Sequence, residues 1–71
     1  MTVVTVVLVR DRKTGEIDPS APALIYAEDG RCIEARRLKP QEIDLLAGEY
    51  CAQMRAQVTD SGTQLTGRWA H

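Results

Sequence analysis

Hydrophobic positions run almost unbroken through Val3-Val4-Thr5-Val6-Val7-Leu8-Val9, where a half-exposed strand would alternate. Successive side chains on a strand point to opposite faces, so Val3, Thr5, Val7 and Val9 share one side and Val4, Val6 and Leu8 the other. The pattern predicts a strand over residues 2–10 that needs cover on both faces. The polar cluster Asp11-Arg12-Lys13-Thr14-Gly15-Glu16 reads as a tight turn with Gly15 at positive φ. Ile17 then begins a short return pairing that Pro19 and Pro22 stop, because proline cannot donate to a ladder.

Two further apolar-rich runs, 23–28 and 31–36, flank Asp29-Gly30, a strong signal for a two-residue type I′ hairpin. That turn sets Glu28 opposite Arg31, Tyr26 opposite Ile33 and Leu24 opposite Ala35. Leu24, Tyr26, Ile33 and Ala35 are then expected on the core face. Ala23, Ile25, Ala27, Cys32, Glu34 and Arg36 fall on the other, mixed face.

Pro40 and Glu42 suit a helical first turn, although Lys39 is a poor cap. Ile43, Leu46, Ala47, Tyr50, Met54 and Val58 recur at helical spacing, with Cys51 at the border of the stripe. A helix over residues 41–58 is predicted, ~27 Å long at 1.5 Å per residue, about the length of the first strand. Leu45, Gly48, Ala52 and Ala56 would lie opposite that stripe as a groove of small residues. Thr59-Asp60-Ser61-Gly62 ends the helix, and Thr63, Leu65 and Trp69 alternate in the tail. Residues 61–71 are read either as a short last strand or as a flexible tail.

These elements define an α+β fold: a three- or four-stranded antiparallel sheet with one helix packed on one face, in the order β-β-β-α with the tail as the optional last strand. At 71 residues the chain is one small domain, 1–71. Such a chain buries only about 60% of its unfolded surface, so a partner that covers more is a gain in stability. The composition, 44% hydrophobic and 27% charged, is that of a folded domain. The apolar N-terminal run is too short to span a bilayer, and two cysteines do not make a secreted disulfide framework. A soluble cytoplasmic protein is expected.

Candidate chemistry is thin. His71, the single histidine, is the last residue, where a fixed catalytic geometry is not expected. Cys32 and Cys51 are expected on a strand and mid-helix, without the cations that activate a thiol. Two cysteines and a terminal histidine do not supply a zinc site, and no phosphate loop or nucleophile elbow is present. No enzyme, metal or cofactor is expected. The net charge of −1 and the absence of Phe weigh against nucleic acid, although Arg31, Arg36, Arg37 and Lys39 fall close together and make a nucleic-acid-binding regulator the alternative reading. Arg10, Arg12 and Lys13 form a second basic cluster.

The leading expectation is a non-enzymatic protein-interaction module, an accessory subunit or inhibitor of a larger protein partner, and a homodimer. Its candidate interface combines the second apolar sheet face with the small-residue side of the helix: Val4, Val6, Val7, Leu8, Ile25, Leu45, Gly48, Ala52 and Trp69. The competing expectation is closure of that face within the monomer by Leu65 and Trp69.

Overall fold

The computed structural model describes residues 2–18 and 20–69. Expectations resting on Pro19 and His71 lie outside the described residues. The elements are β1 (Thr2–Val7), β2 (Ala23–Tyr26), β3 (Cys32–Arg36), α1 (Pro40–Leu45), β4 (Cys51–Thr59) and β5 (Gly62–Arg68). They form one five-stranded antiparallel sheet in the order β3-β2-β1-β4-β5. This overturns the expected three- or four-stranded sheet crossed by a long helix.

Leu46 ends the helix that Pro40 begins. Ala47 and Gly48 follow with φ of 51° and 82°, two successive left-handed residues that no α-helix continues through. The start is stabilised by Glu42, whose carboxylate accepts the Lys39 N–H at 2.9 Å and so compensates for a residue with no capping oxygen. Beyond Tyr50 the chain is a strand, with Ala52, Met54 and Ala56 buried and Cys51, Gln53 and Gln57 exposed. The expected helical stripe dissolves: Met54 is in the core, while Tyr50 and Val58 stand exposed, Val58 by 57%. The groove of small residues dissolves with it. Ala, Gln, Met and Arg all favour helix, but pairing along the whole length of β1, from Thr2↔Ala56 to Val7↔Cys51, outweighs local propensity.

The first strand keeps its expected alternation. Val4, Val6 and Leu8 are almost fully buried, and Val3, Thr5 and Val7 are half-buried on the opposite face. The buried row meets Ile25 of β2, Ala52, Met54 and Ala56 of β4, and Leu65 of β5. Leu38 and Leu46 belong to the same core, and Ile17 and Ile43 pack against it. The Val4–Val6–Leu8 face of the first strand is therefore covered by the sheet itself, which curls round to enclose it, and the Val3–Thr5–Val7 face is the outer one. Ile17 does return, through an isolated bridge to Arg10, and the tail does form a last strand, with Thr63 and Leu65 facing inward.

The hairpin between β2 and β3 differs from expectation in its turn, and its core face is the other one, because Ile25 pairs beside buried Val6 of β1. Ala27 and Arg31 close a three-residue loop, Glu28-Asp29-Gly30, in which Gly30 takes φ 89°. Tyr26 then pairs with Cys32, leaving Ile33 as a bulge, and from Ile25↔Glu34 and Leu24↔Ala35 onward the register is the expected one. Ala23 and Ile25 are the core residues, and Tyr26, Leu24, Ile33 and Ala35 are not. A second bulge between β4 and β5, at Thr66, adds to the curl.

Candidate functional site

β3 and β5 run in the same direction at the two edges of the curled sheet, and side chains join them where no ladder does. The Thr63 N–H donates to Glu34 Oε1 at 2.7 Å, and Arg36 Nη2 donates to the Thr63 carbonyl at 2.7 Å. Thus one residue of β5 has both backbone groups satisfied as a neighbouring strand would satisfy them. Arg36 also grips Glu42 with two bonds of 2.9 and 2.8 Å and approaches Glu34 at 3.3 Å. This fork holds the carboxyl of Glu42 below its usual range, chiefly through the Arg36 hydrogen bond. Arg36 is thereby committed to the fold. Arg31 pairs with Asp29 at 2.7 Å at the far end of β3, so the expected basic cluster is not one surface.

The outer face of the sheet is different. Thr5 pairs with Tyr26 on one side and Gln53 on the other, and the Trp69 N–H donates to the Gln53 carbonyl at 2.9 Å. A row Tyr26–Thr5–Gln53–Trp69 therefore crosses β2, β1 and β4, all pointing away from the core. Together with Val3, Ala27 and Glu28 it lines a groove of about 530 Å³. Trp69 is 38% exposed, and the Arg55 guanidinium lies 5.8 Å from its ring centroid, a cation–π contact that holds a positive charge at that end. A second cleft, of about 770 Å³, lies between the β1–β2 loop and the turn after α1, where Arg10 stacks over Tyr50 at 5.0 Å.

The nine residues expected at the interface are divided by this architecture. Val4, Val6, Leu8, Ile25 and Ala52 are buried inside the sheet, because the face they share is the one that curls shut. Leu45 packs half-buried beside the core at the end of the helix, and Gly48 lines the Arg10 cleft. Val7 and Trp69 are on the outer face. The residues sequence reasoning missed there are Tyr26, which was expected on the core face, and Gln53 and Arg55, which the long helix hid. Strict alternation from Cys51 to Gln57 was the signal that could have found them. Both cysteines are free and exposed. Among the described residues no group of three His, Cys, Asp or Glu side chains is placed to hold a metal, and no helix is long and apolar enough to cross a membrane.

No family model, no curated protein and no solved structure matches this chain. The class is thus defined by topology alone: a small five-stranded Greek-key barrel, open between its third and fifth strands, with the helix between the third and fourth. A topology by itself carries no function.

Proposed function

We propose that this protein is a non-enzymatic binding module that recognises another protein through the outer face of β2, β1 and β4, as an accessory subunit or inhibitor. The observation that supports it most is the Tyr26–Thr5–Gln53–Trp69 row, which sets two aromatic rings in one groove on the outer face. Val3, Val7 and Leu24 extend it with half-buried apolar surface. Aromatic residues of this kind anchor interfaces because they combine a large apolar area with few rotors. A second copy of the chain is one such partner, and a cytoplasmic setting agrees with two free exposed thiols.

The test is solution mass by light scattering, together with capture from the native host's lysate, for the wild type and for Val7→Glu. The reading expects a dimer or a captured protein that the charge abolishes. A monomer that captures the same proteins with and without the substitution overturns it.

A nucleic-acid-binding reading is supported by one specific observation, a cation, Arg55, beside the half-exposed ring of Trp69, the pairing on which single-stranded bases stack. It predicts steeply salt-dependent binding of an oligonucleotide. Engagement of Arg36 by Glu42 and of Arg31 by Asp29 leaves it second.

A further inference from the structure

We propose that the Tyr26–Trp69 groove takes a proline-rich segment of the protein partner, in the polyproline II conformation, with a Lys or Arg of that segment meeting Glu28. The proposal rests on the protein-binding reading above and names the chemistry of its partner.

The groove floor decides what form the occupant has. β4 is paired on both sides, β2 with β1 and β3, and β1 with β4 along its length and with β2 from Thr5 to Val7, so the backbone without a ladder partner at the groove is the short stretch Thr2–Val4. An added strand would have only those three residues to pair with, and the row from Tyr26 to Trp69 runs across the strands, not along that edge. A helix with its side chains is about 10 Å or more across and presents apolar anchors along one stripe. The groove instead offers two rings separated by three strand spacings, roughly 14 Å on a flat sheet. That span holds about four residues of polyproline II at 3.1 Å each. Such a segment has no internal hydrogen bonds, is ordered before it binds, and packs its rings against aromatic walls. Its bare carbonyls need donors, and the Thr5 hydroxyl and Gln53 amide stand between the two rings.

Charge sets both the partner's sign and its direction. Of the described residues lining the groove, Glu28 alone is an acid, and it sits at the Tyr26 end. Asp29 beside it is held by Arg31, so Glu28 is the carboxylate left to meet a cation. Arg55 holds the Trp69 end positive. A basic residue is drawn to the hairpin end and repelled from the other, which orients the peptide. A polyphosphate chain laid along the same row would meet Glu28 as a like charge.

Trp69 is the single tryptophan, so its fluorescence reports on the groove directly. The full chain is titrated with a short polyproline peptide bearing one central arginine, the same peptide with glutamate instead, and oligo-dT. The expected result is a saturating spectral shift with the arginine peptide, at least about fivefold tighter than with the glutamate peptide. Glu28→Lys, an exposed change on a loop, inverts that preference, and Tyr26→Ala weakens both by about tenfold or more while far-UV circular dichroism is unchanged. Absence of saturation with either peptide, an unaltered preference in Glu28→Lys, or tighter and steeply salt-dependent binding of oligo-dT overturns the proposal. If Val7→Glu abolishes capture of a protein and the arginine peptide does not compete for it, the proline-rich partner is wrong while the protein-binding reading stands.

Discussion

The seam between β3 and β5 and the outer face over β2, β1 and β4 are strips of one sheet that meet their surroundings in opposite ways. At the seam the backbone has no partner strand, and Glu34, Arg36 and Glu42 supply hydrogen bonds in its place. On the outer face every strand is already paired, and the exposed side chains are aromatic rings, a hydroxyl and an amide. Charge here serves the fold, and apolar exposure is surplus to it. A conserving reading of either strip from its composition alone would have assigned the roles the other way round, with the arginines as a binding surface and the aromatics as core.

The comparison breaks most visibly at Arg36. Replacing it with Met leaves Glu42 and Glu34 without their cation and the Thr63 carbonyl without a donor, and is expected to cost about 3 kcal/mol or more of unfolding free energy in urea. In the double variant Arg36→Met/Glu42→Met the loss is expected to be smaller than the sum of the single losses, because one broken pair is counted only once. A cost for Arg36→Met like that of an ordinary surface change would mean that the seam is not held by charge.

Gly62 tests the same strip by shape. Its φ is 127°, and a Cβ would come within 2.9 Å of Glu34 Oε2. Gly62→Ala is therefore expected to cost about 2 kcal/mol, read from the denaturation midpoint, since it both strains the backbone and displaces the carboxylate that binds Thr63.

On the outer face, Trp69→Ala is expected to cost only about 1 kcal/mol of stability, because part of the ring is already in water. A loss as large as that at Arg36 would assign Trp69 to the fold. Acidification sharpens the contrast further. The folded Glu42 carboxyl titrates below its unfolded value of about 4.3, so its contribution is present above that pH and disappears as pH falls through the folded pKa. The wild type should lose stability on going below about pH 5, and Arg36→Met should show a shallower acid slope. Arg31→Ala, which removes an exposed pair with Asp29, should leave the urea midpoint unmoved.

Legibility in the sequence followed the range of the interactions involved. Alternation in β1, the turn at Asp29-Gly30, the start of α1 at Pro40 and the return of Ile17 depend on neighbours a few residues apart, and all were readable. The hairpin loop was longer by one residue than the two-residue turn, but a bulge absorbs it; Ile25 and not Tyr26 is in the core because β2 pairs with β1 as Val6↔Ile25, a longer-range contact outside the hairpin. β4 was hidden because its composition favours helix while its partner lies at the other end of the chain. The seam was hidden for the same reason: nothing local in Glu34-Ala35-Arg36 announces that Thr63 will need a donor and an acceptor there. The groove depended on both errors, since Tyr26 had been turned inward and Gln53 wound into a helix.

The position of β1 also governs the order of assembly. Its first neighbour, β2, follows soon after it, but its second, β4, comes only after the hairpin and the helix. Until that distant strand arrives, one edge of β1 is unpaired and Val4, Val6 and Leu8 lack half their cover. The β1–β4 closure joins residues farther apart in sequence than any other strand pairing here, so it carries the largest loop entropy and is expected to be slow. The interval before it is when two nascent chains are most able to join edge to edge, so concentration during refolding, more than the stability of the finished barrel, decides how much protein is recovered.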